Sequence, residues 1–217
     1  MKEKKRFQLI IVCMMVMFCL SPFRGADAQT GPSPEADHSW LKGKRVFLDP
    51  GHGGLAAHDP LRTGPQGITE ESVNLRVGLI LRDMLVKAGV VVVMSREADI
   101  DVPLYDRVDA AVHSSPDILV SIHHNAAVAR DEVPNYPSVL IWGSDSVNPA
   151  SYDLAKLLVA GFEDLMGAKG WVLSDFSVYP ESGTLILRET RYLCPGVIGE
   201  AGFITDPSHA ARLLDQA

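Results

Sequence analysis

Two histidines and two glutamates are the residues of this 217-residue chain whose types and positions could do chemistry. His52 and His123 each follow a short apolar segment that we predict to be a strand, and Glu200 ends a later one. Glu70 begins the first long predicted helix, which returns from the same edge of the sheet. Because ligands of open α/β sheets bind outside the carboxyl ends of the strands, we expect all four side chains to meet at one rim.

Imidazole and carboxylate side chains are typical ligands of a catalytic metal ion. Zinc takes neutral histidine nitrogen and carboxylate oxygen, and a catalytic zinc site keeps three protein ligands and one water. The metal lowers the pKa of that water from about 15.7 toward roughly 7. A carboxylate that does not bind the metal can take the proton from the water and pass it to a leaving amine. Two histidines, one ligating glutamate and one free glutamate therefore predict metal-assisted amide hydrolysis, if the predicted strands bring them together.

The rest of the chain alternates strands and helices. Short apolar runs predict strands at residues 45–49, 90–94, 118–122, 138–142, 184–187 and 197–200. Apolar residues at helical spacing predict helices at residues 73–87, 104–112 and 154–165, with Ser151 capping the third and Asp206-Pro207 beginning a fourth. This order predicts a single α/β domain, with a mostly parallel twisted sheet and helices on both faces.

Composition places the chain among globular proteins. It is 47% hydrophobic and 22% charged, with a formal net charge of -7. That apolar fraction supports one folded domain and excludes intrinsic disorder. Lys and Arg form no cluster outside the N-terminus, so we expect no nucleic-acid partner.

The N-terminus has the pattern of a targeting sequence. A basic head is followed by an apolar run at residues 9–20 and by small residues at 26–28 (Ala-Asp-Ala). This pattern predicts a secretory signal peptide at residues 1–28, since the run is shorter than the roughly 20 residues of a transmembrane helix. The polar, Pro- and Gly-rich residues 29–41 are predicted to be a linker, and residues 42–217 the catalytic domain. We therefore expect export to the periplasm or to the extracellular cell wall.

Removal of the predicted signal peptide would leave a single cysteine in the mature chain. The predicted peptide contains Cys13 and Cys19, which leaves Cys194 alone in the mature chain. A disulfide within that chain is therefore not expected. Cys194 lies beside an apolar segment without an activating neighbour, so we predict a buried hydrophobic residue rather than a nucleophile.

Four motifs, in this order along the chain, resemble those of one enzyme family. They are residues 47–54 (FLDPGHGG), Glu70 with Asn74-Leu75, residues 121–126 (SIHHNA) and residues 199–203 (GEAGF). From about Lys44 to Pro207 the chain resembles the zinc-dependent N-acetylmuramoyl-L-alanine amidases of the amidase_3 family. The resemblance implies a hydrolase that cleaves the amide bond between N-acetylmuramic acid and the L-alanine of the peptidoglycan stem peptide.

The resemblance also implies a role for each of the four rim residues. His52, Glu70 and His123 correspond to the family's zinc ligands. Glu200 corresponds to the catalytic carboxylate, a general base and acid. Glu70 matches the ligand position rather than Glu71, because it stands four residues before the Asn-Leu pair. The implied cofactor is Zn2+, and the implied partner is peptidoglycan.

Three features depart from the family pattern. His124 stands where a small residue is usual, and because neighbouring strand side chains point to opposite faces, we expect it to support the ligands from behind or merely to pack. Glu71 stands where a lysine is common, and we expect a solvated acid in the first helical turn. The chain ends at Ala217, soon after the last predicted helix begins, so we expect a C-terminal helix that is short or truncated.

Other polar residues have less specific interpretations. Arg188 follows the predicted strand at 184–187, near the catalytic edge, where we expect a charge-assisted contact with a stem-peptide carboxylate. Arg107 is expected to pair with an acid or to bond a carbonyl rather than to take part in catalysis. The remaining histidines are expected to be exposed to solvent: His38, His58, His113 and His209.

Two other functions remain open from the sequence. A zinc peptidase would use the same residues to cut a bond within the stem peptide. A non-catalytic wall-binding module would keep the fold without turnover, but such a protein is expected to lose Glu200 or a ligand, and this chain keeps all four residues. The sequence also leaves open an activator protein, the oligomeric state, the stem-peptide preference and the envelope type of the host.

Overall fold

A computed structural model describes residues 39–54, 61–127 and 135–214. The predicted signal peptide and the first ten residues of the predicted linker lie outside the described residues. Ser39–Leu41, at the end of that linker, form a short 3-10 helix, and Leu41 is fully buried. No helix in the described ranges is long and apolar enough to cross a membrane.

The described residues contain six strands and five α-helices. The strands are β1 (Arg45–Pro50), β2 (Val91–Met94), β3 (Ile118–Asn125), β4 (Ser138–Ile141), β5 (Trp171–Ser174) and β6 (Gly196–Phe203). The helices are α1 (Glu70–Lys87), α2 (Leu104–Ser114), α3 (Pro149–Met166), α4 (Leu185–Thr190) and α5 (Pro207–Leu214). Strands and helices alternate along the chain, except that β4 directly follows β3.

All six strands form one mixed sheet in the order β2-β1-β3-β6-β4-β5. Strands β2, β1, β3 and β6 run parallel, whereas β4 pairs antiparallel with β6 and parallel with β5. The prediction of a single α/β domain with a mostly parallel sheet is confirmed. Because β4 and β5 point the other way, they begin at the rim where β3 and β6 end.

Strand residues alternate between two hydrophobic cores, one on each face of the sheet. In β1, Leu48 packs in the core under α1 and α3, while its neighbour Phe47 packs in the core under α2 and α4. Ile118 and Leu119 repeat this alternation in β3. Burial on both faces explains why these strands are continuous apolar runs. The prediction of helices on both faces is confirmed.

The strand predicted at residues 184–187 is wrong, because these residues lead into helix α4. The backbone N–H and the hydroxyl of Thr184 both donate to Oδ2 of the buried Asp175, just before the helix begins. Leu187 packs against Gly196 in the core. A run of four residues is too short for its periodicity to distinguish a strand from a short buried helix.

Two further details differ from the sequence analysis, and one agrees with it. Strand β5 is not among the predicted strands. The predicted cap at Ser151 is wrong, because Asn148 caps α3 by accepting from the N–H of Ser151. The Ser151 hydroxyl instead accepts from Gly196 N, which connects α3 with β6. The predicted helix start at Asp206 is confirmed, since Oδ1 of Asp206 accepts from His209 N at 2.7 Å.

Candidate metal centre

Three of the four rim residues meet where β1, β3 and α1 converge. Glu70 Oε2 lies 3.2 Å from His52 Nε2, and Glu70 Oε1 lies 3.0 Å from His123 Nδ1. The two imidazole centroids are 4.8 Å apart, with an interplanar angle of 82°. One ligand atom from each residue falls within 4.8 Å of the others, a spacing that could hold a metal ion. Two imidazoles and one carboxylate are donors that suit zinc.

The backbone around His52 has a conformation that few residues adopt. His52 itself has φ +59°, in the left-handed region that non-glycine residues usually avoid. A side chain at Gly51 would place its Cβ 2.2 Å from the His123 ring, and one at Gly53 would place it 2.0 Å from the Ile100 carbonyl oxygen. Gly51 therefore allows the loop to lie against the second imidazole, and Gly53 allows it to lie against the backbone at Ile100.

Arg107 holds the same loop from helix α2. Its Nη2 donates to the His52 carbonyl at 2.6 Å, and its Nη1 donates to the Pro50 carbonyl at 2.9 Å and to Asp49 Oδ1 at 2.8 Å. The prediction that Arg107 pairs with an acid and bonds a carbonyl is confirmed. The side chain is 3% exposed, so water competes little for these hydrogen bonds.

A second buried arginine holds the loop from the segment after β2. Arg96 donates to the carbonyls of Pro50, Gly51 and Glu71 at 2.8, 2.9 and 2.7 Å. Burial lowers the pKa of Arg96, and the neighbouring charge of Arg107 lowers it further. Two arginine side chains thus replace the hydrogen bonds that regular structure would give these carbonyls.

Asp49 is the buried acid beneath the loop. Burial alone would raise the pKa of Asp49, but the Arg107 charge and hydrogen bonds from Ser95 and Ser121 outweigh it, so the pKa falls below its ordinary value. Asp49 is therefore ionised at neutral pH, which keeps the Arg107 guanidinium in place by charge as well as by hydrogen bonding.

Glu70 is also oriented by groups other than His52 and His123. Its Oε1 accepts from Asn74 Nδ2 at 3.2 Å and from the His124 backbone N–H at 3.1 Å. Positions 70 and 74 are one helical turn apart, so both side chains lie on the same face of α1. Asn74 is part of a sequence motif, and its i+4 spacing from Glu70 could have indicated this contact.

The electrostatics of the cluster favour a positive charge beside Glu70. Burial would raise the pKa of Glu70, but hydrogen bonds and charges of His123 and His52 lower it well below its ordinary value. Burial would lower the pKa of His123, but the Glu70 hydrogen bond and charge raise it to about 9. A protonated histidine supplies positive charge next to the Glu70 carboxylate, and a divalent cation bound there would supply it instead. The donor set therefore fits a metal ion.

Glu200 lies beside the cluster on the next strand. It pairs directly with His123 in the register of β3 and β6. Its Oε2 is buried and has no hydrogen-bond partner among the described residues. Burial raises the pKa of Glu200 to about 7; the Glu70 charge adds to this rise and the His123 charge opposes it. Two neighbouring carboxylates whose environments shift their pKa values in opposite directions suit different roles in proton transfer.

Comparison with known proteins decides the family. The sequence model of Amidase_3, described as N-acetylmuramoyl-L-alanine amidase, matches residues 46–217. The chain belongs to the Amidase_3 family. The resemblance carried by the four motifs is therefore confirmed, and the chain is a hydrolase of the amidase class.

Relatives of this Amidase_3 chain agree in sequence and in fold. It is 33% identical over 174 residues to the uncharacterized protein YqiI of Bacillus subtilis, covering 80% of this chain and 76% of that one. It is 32% identical to the sporulation-specific N-acetylmuramoyl-L-alanine amidase of the same organism, covering 78% of this chain and 60% of the relative. The structure of the amidase AmiC2 of Nostoc punctiforme superposes with a TM-score of 0.64 at 28% identity, covering 79% and 86% of the two chains.

His124 faces away from the His52–Glu70–His123 cluster of this Amidase_3 chain, as strand alternation predicts. Its Nδ1 lies 2.9 Å from Asn74 Oδ1, and Asn74 in turn contacts Glu70. Burial, with a contribution from the charge of the neighbouring His209, lowers the pKa of His124 to about 3, so its ring is neutral. His124 therefore supports Glu70 from behind through Asn74.

Two predictions of solvent exposure are wrong. Glu71 is 2% exposed, and the buried Arg96 side chain donates to its carbonyl. Its Oε2 has no hydrogen-bond partner among the described residues. His209 is 4% exposed, because α5 folds back on the end of β6 and presses this ring against Gly202. Burial lowers the pKa of His209 to about 4, with a contribution from the Arg212 charge.

The other histidines and the cysteine are described only in part. His113 is exposed, as predicted, and its Nδ1 lies 2.7 Å from the Asp109 carbonyl. His38 and His58 lie outside the described residues. Cys194 is buried, and burial together with the Asp117 charge raises its pKa to about 12, which confirms the prediction of an unreactive thiol.

Arg188 is not brought to the His52–Glu70–His123 cluster. It lies on α4, where its Nε donates to Glu189 Oε1 at 2.8 Å and its Nη1 donates to the Ser182 carbonyl at 3.3 Å. The preceding Leu187 packs against Gly196, at the end of β6 opposite to Glu200. The expected contact between Arg188 and a stem-peptide carboxylate stays a prediction.

Proposed function

We propose that this protein hydrolyses the amide bond between N-acetylmuramic acid and L-alanine in peptidoglycan, with zinc held by His52, Glu70 and His123 and with Glu200 as general base and acid. The observation that carries the proposal is the position of Glu200. A buried carboxylate oxygen without a hydrogen-bond partner among the described residues stands beside a His-Glu-His cluster, on the residue paired with His123.

Two of the three proposed ligands, Glu70 and His52, are positioned by residues outside the ligand set. Zinc bound there would polarise a water and the substrate carbonyl, and would make the water nucleophilic at neutral pH. Asn74 and the His124 N–H fix the Glu70 carboxylate, while Arg107 fixes the His52 backbone. Such preorganisation reduces the conformational entropy lost when the ligands converge on an ion.

Glu200 is suited to carry protons between water and the leaving group. A carboxyl group with a pKa near 7 both accepts and returns a proton readily at neutral pH. An amide nitrogen must be protonated to leave as an amine. Glu200 would first accept a proton from the attacking water. It would then deliver this proton to the nitrogen of L-alanine, which leaves as an amine.

Digestion of purified peptidoglycan tests the activity. The zinc-loaded protein is expected to release intact stem peptides with a free L-alanine amine and to leave a peptide-free glycan. New amines inside the stem peptide would instead identify a zinc peptidase, and binding without any product would identify a wall-binding module.

A pair of matched variants tests the role of Glu200. Glu200→Gln is expected to abolish hydrolysis while zinc content stays at one equivalent, because the change removes the base but no ligand. Glu181→Gln is the control, since Glu181 is exposed and far along the chain from the cluster. Activity retained in Glu200→Gln would remove the proposed role.

We also propose that residues 1–28 direct export, because their basic head, apolar run and Ala-Asp-Ala site form the pattern of a signal peptide. The proposed substrate lies outside the cell membrane, which requires export. N-terminal sequencing of the protein recovered from the cell envelope or the medium is expected to begin at Gln29. Recovery of active protein that still begins at Met1 would contradict cleavage.

A further inference from the structure

A row of directly paired residues extends the candidate site along the rim of the sheet. His123 pairs with Glu200, and Glu200 pairs with Ser138. Ser138 in turn pairs with Trp171 on the edge strand. Because directly paired residues on neighbouring strands carry their side chains on the same face, this row runs across β3, β6, β4 and β5 on the face that carries Glu200.

The row ends in an exposed aromatic ring. Trp171 is 48% exposed, whereas the small Ser138 between it and Glu200 is buried. Neighbouring strands lie about 4.8 Å apart, so the Trp171 backbone is about 10 Å from that of Glu200. An extended peptide advances about 3.3–3.6 Å per residue, so this distance corresponds to about three residues of a bound peptide.

A cation accompanies the ring. Lys169 Nζ lies 4.6 Å from the centroid of the Trp171 ring, and the lysine is exposed. Among the described residues, Lys169 makes no ion pair with a carboxylate. The ring and the ammonium group together present an apolar surface next to an unpaired positive charge.

The backbone under this pair is held by regular hydrogen bonds. Trp171 N donates to the Pro137 carbonyl at 3.1 Å, which joins the ring to the residue before Ser138. Gly170 N donates to Glu163 Oε1 at 2.8 Å, which anchors the turn between α3 and β5. Trp171 therefore has a fixed distance from Glu200, as a binding subsite requires.

We propose that Lys169 and Trp171 form a subsite for the peptide part of the substrate, in which the ammonium group binds a stem-peptide carboxylate and the ring contacts apolar atoms next to it. This proposal rests on the amidase function proposed above. The N-acetylated sugars of the glycan carry no charge, so an unpaired cation at this distance suits the peptide side of the scissile amide rather than the glycan side. Charge-assisted contacts of this kind are stronger than neutral ones.

Steady-state kinetics with two soluble substrates test the subsite. One is a disaccharide with the full stem peptide, and the other is the same disaccharide with L-alanine carboxamide alone. Lys169→Ala and Trp171→Ala, in the zinc-loaded protein, are each expected to raise KM for the full stem about tenfold with kcat unchanged, because uniform binding is lost. Neither variant is expected to change KM for the truncated substrate.

Two control variants accompany this test. Lys169→Arg keeps the positive charge and is expected to keep KM within about twofold of the wild type. Tyr192→Ala removes an aromatic ring that is 90% exposed and also lies under a cation, but precedes β6 at the opposite end of the sheet. It is expected to leave KM unchanged for both substrates.

The outcomes separate this subsite from the proposed function. If wild-type protein turns over both substrates and Lys169→Ala has an unchanged KM for the full stem, the subsite is wrong and the amidase function stands. If Trp171→Ala raises KM equally for both substrates, the ring binds a sugar and the proposal is overturned. If the wild type turns over neither substrate, the amidase function fails, and the subsite fails with it.

Discussion

Arg107 Nη2 donates a 2.6 Å hydrogen bond to the carbonyl oxygen of His52, a residue 55 positions earlier in the chain. His52 adopts φ +59°, a conformation that costs a non-glycine residue about 1–2 kcal/mol. The orientation of one candidate zinc ligand therefore depends on a side chain that contacts no ligand atom.

Replacement of Arg107 by lysine is expected to weaken zinc binding about 10- to 100-fold. A lysine keeps the charge next to Asp49 but cannot donate at once to the four oxygens that the guanidinium reaches. Competition with a chelator measures the affinity. Ser95→Ala is the control, since the Ser95 hydroxyl bonds Asp49 Oδ1 but none of the loop carbonyls. An affinity of Arg107→Lys equal to the wild type would contradict the positioning role.

Gly51→Ala is expected to abolish zinc binding, because the added Cβ would lie 2.2 Å from the His123 ring and must displace it. Gly196→Ala is the matched control: its Cβ would lie 3.4 Å from Leu187, an ordinary packing distance. Zinc content after dialysis, with circular dichroism to confirm folding, distinguishes the two variants. Full zinc content in a folded Gly51→Ala protein would show that the ring has another position.

Chelation is expected to remove activity without unfolding the protein, because Glu70 keeps its hydrogen bonds with Asn74 and with both imidazoles. Readdition of zinc should restore activity. Zinc at about a thousand times its Kd should stabilise the fold by about 4 kcal/mol, measured as a rise in Tm. A well-folded sample that turns over muropeptides normally after exhaustive chelation would contradict the metal mechanism.

His209 is expected to make the fold sensitive to acid. The folded protein binds a proton at His209 with a pKa of about 4, below the ordinary value of 6.5, so the unfolded chain binds more protons between these values. The neutral ring therefore contributes its full stabilisation above about pH 6.5. As the pH drops to about 4, the free energy of unfolding falls by about 3 kcal/mol.

Denaturant unfolding at several pH values checks this dependence. His209→Phe keeps a ring against Gly202 but cannot titrate, so its stability should fall less than that of the wild type between pH 6.5 and 4. His113→Phe, at an exposed position, should follow the wild-type curve. Parallel curves for His209→Phe and the wild type would show that His209 does not titrate in this range.

The grouping of the site residues at one edge of the sheet was predictable from the sequence, because it depends on where apolar runs end along the chain. His52, His123 and Glu200 each follow or end an apolar run, and parallel strands bring such positions to one edge whatever their order. The order of the strands and the reversal of β4 and β5 were not predictable, since a local pattern does not record which strand pairs with which.

The errors occur where tertiary packing outweighs local pattern. Glu71 and His209 have the residue types of an exposed helical turn, yet each lies where a helix end meets another segment and is buried. The α4 helix has too few residues for a helical period to appear. The hydrogen bonds from Arg96 and Arg107 to the loop carbonyls link residues far apart in the chain, so they required coordinates.

The reversal of β4 and β5 has a consequence for how substrate choice can evolve. Chain segments enter these two strands at the edge where the cluster lies, so the described residues 135–137 and 167–170 lie at that edge. Insertions or replacements there can reshape the neighbourhood of the scissile bond, while the residues proposed to bind zinc stay on other strands and on α1. Changes next to β4 and β5 can thus alter which substrates bind, while β1, β3 and α1 keep the proposed zinc ligands unchanged.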